Sequence, residues 1–167
     1  MFEELLIADS GPLIGLAKIG RLDLLPRLAT SVMIPAMVWQ EAVAARPLAP
    51  DAITVARADW LEIRTAPAPE ISQLDPKLDP GEAEAIALAL QFPHACLLLD
   101  DRLGRREAGR LGLRFLGVVG LLKLAKDQGL IQQLGPELQS LLSVGYPLSS
   151  KLVADALERA GEFHSIK

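Results

Sequence analysis

Cysteine and histidine are nearly absent from the chain. One cysteine, Cys96, allows no internal disulfide, and two histidines in 167 residues are too few for a Cys/His zinc cluster. Cys96 lies in an apolar run and reads as a small core residue. Aromatic residues make up only 4% of the sequence, which argues against the base-stacking platforms of single-strand binding folds. Positive charge is not in excess either. With 17 Lys and Arg against 21 Asp and Glu the net charge is −4, so contact with a polyanion must rest on a local patch. No apolar run approaches the roughly 18 residues needed to span a bilayer. The N-terminal stretch carries acids and no basic region of the kind that precedes a secretory signal, so the cytoplasm is the expected compartment. Internal repeats and low-complexity tracts are also missing.

What is present is aliphatic: half of the residues are hydrophobic. That content and length predict one domain over residues 1–167 with a sizeable core, a main body over about 5–128 and a helical extension over about 129–167. Strand and helix patterns alternate, which indicates an α/β fold with a mostly parallel sheet. Leu5-Leu6-Ile7-Ala8 reads as a strand buried on both faces. Asp9-Ser10-Gly11 turns the chain, and Pro12 suits the first turn of a helix. Ser31–Ile34 reads as a second strand, and Pro35 opens a helix to about Ala45. A short helix near Ala52–Ala58 and an edge-like strand Trp60–Arg64 follow. The proline-rich stretch from Thr65 to Pro80 reads as surface loop, and Pro80–Phe92 as a strong helix. Ala95–Leu99 forms another apolar strand, followed by a basic helix over about Arg102–Leu111, a strand Arg114–Val119 and a helix from Gly120. Two further helices flank Gly145-Tyr146-Pro147.

The acids fall at particular places in this pattern. Asp9 ends the first strand, where open α/β sheets bind ligands, although an N-cap role would also explain it. Glu41 shares its helical face with Met37, Val38, Ala42 and Ala45, an apolar stripe on which a lone charge is costly. Asp79 and Glu82 have capping-box spacing at the start of the long helix, yet Glu82 also shares a face with Ile86 and Ala89. Glu84, about 160° around that helix from Glu82, is expected to be solvated. Asp100 and Asp101 end the second apolar strand. Acids gathered from separate segments repel one another unless a cation neutralises them, and oxygen-only ligands suit Mg²⁺ or Mn²⁺. Arg102, Arg105, Arg106 and Arg110 spread over one broad side of the next helix. They either solvate that surface or bind the phosphates of a polyanion.

On Ala8-Asp9-Ser10, Ile34-Pro35-Ala36-Met37-Val38-Trp39-Gln40-Glu41, Gly81-Glu82-Ala83-Glu84-Ala85-Ile86-Ala87-Leu88-Ala89 and Leu98-Leu99-Asp100-Asp101, the sequence resembles the PIN-domain family of prokaryotic ribonucleases, over about residues 5–128. The C-terminal helices are similar to those of a branch described as predicted nucleic-acid-binding proteins. The resemblance implies an α/β/α sandwich around a five-stranded parallel sheet. It implies an Mg²⁺- or Mn²⁺-dependent endoribonuclease that hydrolyses RNA to 5′-phosphate products. Asp9, Glu41, Glu82 and Asp100 would be catalytic metal-site acids, with Asp101 sharing the metal. Ser10, Arg102, Arg105, Arg106 and Arg110 would contact RNA. Many relatives have Asp where this chain has Glu82. Many also read Thr-x-Asp where it has Leu99-Asp100-Asp101, and of the two acids Asp100 is favoured because it directly ends the strand. Many members are toxins, so the resemblance further implies a small antitoxin partner and a homodimer.

The competing reading is a nucleic-acid-binding or regulatory module with the same fold and little turnover. A phosphotransfer fold fits less well. Asp9-Ser10-Gly11 lacks the second acid of an aspartate phosphatase, and the strand near Trp60 ends in Arg64-Thr65 rather than the acid of a receiver domain.

Overall fold

The computed structural model describes residues 2–162; Met1 and residues 163–167 of the expected extension lie outside the described residues. Five parallel strands form one sheet in the order β3-β2-β1-β4-β5. They are β1 (Phe2–Ala8), β2 (Ala29–Pro35), β3 (Leu61–Arg64), β4 (Cys96–Leu98) and β5 (Arg114–Leu116). The central strand β1 pairs with β2 through Leu6–Val32 and Ile7–Met33, and with β4 through Leu6–Cys96 and Ala8–Leu98. Burial on both faces explains why β1, β2 and β4 read as continuous apolar runs rather than alternating ones.

The pleat divides these residues between two cores. Leu6, Ala8, Val32, Ile34, Cys96 and Leu98 point to one face. There they meet α1 (Ser10–Lys18), α2 (Leu24–Leu28), α4 (Pro50–Ala56) and α8 (Val118–Asp127). Ile7, Met33, Leu97 and Leu99 point to the other, against α6 (Pro80–Gln91) and α7 (Arg102–Arg110). Pro26 lies within the first turn of α2, where no backbone donor is needed. The C-terminal helices α9 (Leu134–Ser143) and α10 (Ser150–Arg159) extend the first core through Leu134, Leu138, Leu141, Val153 and Leu157. Two ion pairs tie them down. Arg21 reaches Glu137 at 2.5 Å, and Glu162 receives Lys126 at 2.5 Å as well as the first N–H groups of α9 from Leu134 and Gly135. Among the described residues, no helix is long and apolar enough to cross a membrane.

Local differences from the sequence pattern have simple causes. The proline-rich stretch contains a short helix, α5 (Ala68–Ser72), because Pro69 stands at its start, where it is tolerated. β5 stops at Leu116 because Gly117 caps α8 one residue later. The helix after Pro35 begins as α3 (Ala36–Trp39) and widens into a π-turn over Gln40–Ala44, closed by the Ala45 N–H to the Gln40 carbonyl at 2.8 Å.

Candidate active site

The strand order reverses at β1, whose neighbours β2 and β4 lead the chain in opposite directions. The carboxyl ends of β1 and β4 therefore flank the crevice where open α/β sheets bind ligands. Asp9 follows β1 and is the N-cap of α1, but its side chain makes no capping bond. It is 6% exposed, and its Oδ1 is buried without a hydrogen-bond partner. Burial pushes its carboxyl up to about 7; the Ser10 N–H opposes this, while the charges of Asp79, Glu41 and Asp101 add to it.

Glu41 comes to the same edge from the π-turn, a helix distortion frequent at functional sites. The Ser10 hydroxyl donates to its Oε2 at 2.9 Å. Its carboxylate also lies against the start of α6, so that a Cβ at Gly81 would sit 2.8 Å from Oε1. Glu82 lies between α6 and α7, with a Cβ at Gly104 only 3.4 Å from its Oε2. Burial drives Glu82 well above the usual carboxylate range. Its contact with the Asp79 carboxyl, and the charges of Asp79, Asp101 and Asp9, push the same way. Asp79 caps α6 by accepting from the Glu82 N–H at 2.8 Å, which is the capping half of the expected box.

The adjacent acids after β4 have different surroundings. Asp101 is exposed and caps α7, accepting from Leu103 N–H at 3.0 Å and Gly104 N–H at 3.2 Å. Its charge is the one felt by Asp9 and Glu82. Asp100 is clamped. Its Oδ2 accepts from Val118 N–H at 3.1 Å and from the Tyr146 hydroxyl at 2.5 Å, and Arg105 stands 3.5 Å from its Oδ1. A cleft of about 430 Å³ opens beyond Asp100, between β5, the start of α8 and α10.

Glu84 is buried at 3% exposure rather than solvated, because the far side of α6 is covered too. Its carboxylate accepts the backbone N–H groups of Met37 at 2.9 Å and Ala66 at 3.3 Å, neither of which has a helical or strand partner for that bond. It belongs to the scaffold.

The basic residues of α7 also divide. Arg105 is fixed by the Leu99 carbonyl at 2.9 Å and lies 5.4 Å from the Phe115 ring centre. Arg110 pairs with Glu107 at 2.5 Å. Arg102 and Arg106 are exposed, and no ion pair with either occurs among the described residues.

The charges of Glu41, Asp79 and Asp101 thus reach Asp9, and those of Asp79, Asp101 and Asp9 reach Glu82, while Asp100 turns toward the C-terminal helices. Among the described residues, no group of three or more acids, histidines or cysteines converges into a finished ligand set. Two participants were not evident from the sequence. Asp79 read only as a cap. Tyr146 read only as part of a break between helices, although a lone tyrosine between Gly145 and Pro147 is a residue that a simple linker does not require.

A parallel α/β sheet with acids gathered at its switch point defines a class of protein with an acidic crevice. The chain belongs to the PIN-domain family: residues 5–162 match the family DUF3368, described as a PIN domain. PIN domains are generally nucleases, typically use divalent metal ions and bind nucleic acid. Comparison with curated proteins finds no significant match.

Proposed function

We propose that this protein is an Mg²⁺- or Mn²⁺-dependent endoribonuclease whose site is the acidic edge at Asp9. The observation that carries this reading is the buried, unpartnered Oδ1 of Asp9 among the charges of Glu41, Asp79 and Asp101. A buried carboxylate with one oxygen short of a donor and several acidic neighbours is expensive unless a cation joins it. An all-oxygen donor set suits a hard divalent cation. Asp9, Glu41 and Glu82 would hold the ion, with Asp101 joining them after side-chain rotation and Asp100, held in its direction by its own partners, completing the surroundings. When bound, it supplies Lewis acidity to water and counter-charge to a phosphoryl group.

The chain's own residues do the rest. Ser10 orients Glu41 through its hydroxyl. Arg102 and Arg106, exposed on α7 and in no ion pair among the described residues, suit the phosphates of an RNA strand. Glu82, held protonated near neutrality by its environment, can carry a proton that a bound cation would displace. A toxin role, a small antitoxin partner, a homodimer and a cytoplasmic location are supported by the family resemblance.

The competing reading, a binding module with little turnover, draws support from Asp100, whose oxygens are already occupied. Incubation of the purified protein with single-stranded RNA and Mg²⁺ or Mn²⁺ separates the two. Cleavage that is lost with chelator and in Asp9→Asn supports the nuclease. Binding without cleavage supports the module. Undiminished cleavage by Asp9→Asn would remove Asp9 from the chemistry.

A further inference from the structure

The C-terminal helices deliver one side chain to the acidic edge. Helix α9 ends in a Schellman turn: Tyr146 N–H bonds to the Leu141 carbonyl at 2.9 Å and Gly145 N–H to the Leu142 carbonyl at 3.0 Å. Gly145 takes the left-handed conformation this requires, with φ of 82°. The turn sends Tyr146 back across α1, where Gly11 and Gly15 lie one helical turn apart and leave a slot. A Cβ at Gly15 would stand 2.7 Å from two carbons of the ring, and one at Gly11 would stand 3.9 Å from the hydroxyl. At the end of the slot the hydroxyl donates to Asp100 Oδ2 at 2.5 Å. Val118 N–H binds the same oxygen, and Arg105 faces the other. The phenol is desolvated and lies in the fields of Asp100 and Asp9, so its ionisation is pushed far up and it remains a donor.

We infer that Tyr146 is a positioning residue of the acidic site, its hydroxyl fixing Asp100 so that the C-terminal helical segment is part of the working site. This rests on the metal-dependent reading above. Packing alone would be served equally by phenylalanine, because the slot touches the ring. What only tyrosine supplies is the bond to Asp100. Together with Arg105 and the Val118 N–H, that bond holds the carboxylate turned to a set direction. Outer partners of this kind commonly change metal affinity or activity by about 10- to 100-fold when removed.

Tyr146 is the only tyrosine in the chain, so a tyrosine 13Cζ label gives one assigned signal. Titration with MgCl₂ alone is expected to move that signal in the wild-type protein. Tyr146→Phe is expected to fold normally by circular dichroism. It should need about 10-fold more Mg²⁺ for the same rise in melting temperature, and lower kcat on RNA with KM little changed. An unmoved 13Cζ signal, with Mg²⁺ affinity and kcat of Tyr146→Phe equal to wild type, overturns the inference and leaves the nuclease reading standing. A wild-type protein whose melting temperature ignores Mg²⁺ overturns the metal-dependent reading and this inference with it.

Discussion

Replacing Asp9 by Asn should change how stability depends on pH in a way that isolates one carboxyl. In the folded protein, burial raises Asp9 from 3.8 to about 7. The native state therefore holds a proton that the unfolded chain has released. By linkage, this contribution is fully present below the unfolded value near pH 4, falls as pH rises, and is gone above about pH 7. Between about pH 5 and pH 8 the loss assigned to Asp9 is about 2.5 kcal/mol. For a chain of this length that corresponds to roughly 5–10 °C in melting temperature. Asn is neutral, nearly the same shape, and a good N-cap, so the start of α1 is preserved.

The assay is a set of melting curves in chelator at several pH values, wild type against Asp9→Asn. Glu82, which feels the charge of Asp9, is eased in the variant, whereas titrating groups remote from Asp9 are shared by the two proteins and cancel in the difference. Glu162, for example, works at the opposite end. Burial raises it, yet Lys126 and the N–H groups of Gly135 and Leu134 hold it down to about 2. Its stabilisation is present above its ordinary value of 4.5 and is lost as pH falls toward 2. The expected result is a wild type that weakens by several degrees between pH 5 and 8 and a variant whose curve is flatter. Adding Mg²⁺ or Mn²⁺ should flatten the wild-type curve as well, because the ion competes with the proton for the same oxygens. Parallel curves for the two proteins would refute the reasoning, since a satisfied carboxylate at that position carries no such penalty.

Three further outcomes are expected. Changing Arg102 and Arg106 together to Ala should lower the slope of log RNA affinity against log salt by about 1.4, at about 0.7 for each phosphate contact; Arg110→Ala should change it less because Glu107 engages that side chain. In Gly117→Ala, the new Cβ would overlap Asp100 Oδ1 and the Arg105 guanidinium, both movable side-chain ends, so denaturant melts should show a loss of only about 1 kcal/mol or less together with a smaller Mg²⁺-induced rise in melting temperature. Glu84→Ala leaves the Met37 and Ala66 N–H groups without their acceptor; it should destabilise by about 1–3 kcal/mol while the Mg²⁺ response of the remaining folded protein stays as in wild type.

The fold was legible because a buried parallel sheet announces itself. Leu6–Ala8, Val32–Ile34 and Cys96–Leu98 can be nothing but central strands, and the polar alternation of Leu61–Arg64 marks it as an edge. The placement of Asp9, Glu41 and Glu82 at one edge was legible for the same reason, since strand ends and first turns of helices share one side of such a sheet. Side-chain direction was not. Whether Asp100 or Asp101 faces Asp9 depends on which of them caps α7, and capping is decided by rotamers rather than spacing. Glu84 was misread because its helical face is polar only if the far side of α6 is open. The loop carrying Ala66 and the start of α3 close it, and both are distant in sequence. Tyr146 depends on a contact 46 residues away from Asp100, which no local pattern encodes.

Burial alone does not distinguish the acids that build this protein from those that act. Glu82 and Glu84 stand two residues apart on one helix and are almost equally hidden, at 6% and 3% exposure. Glu84 meets two backbone N–H groups. Glu82 meets acids, and is driven up. The same division runs through the aspartates. Asp79 and Asp101 satisfy helix starts, Asp100 is held by Tyr146, Arg105 and Val118, and Asp9 keeps an oxygen with no donor. A carboxylate with its hydrogen bonds complete gains less from a cation than one short of donors, although outer hydrogen bonds also hold a ligand in its direction. A carboxylate crowded by others and short of donors gains most. The charge that would destabilise the bare edge is therefore the same charge that would favour a divalent ion, which supports the proposal that Asp9, Glu41 and Glu82 form the core of the site, with Asp100 held in place beside them.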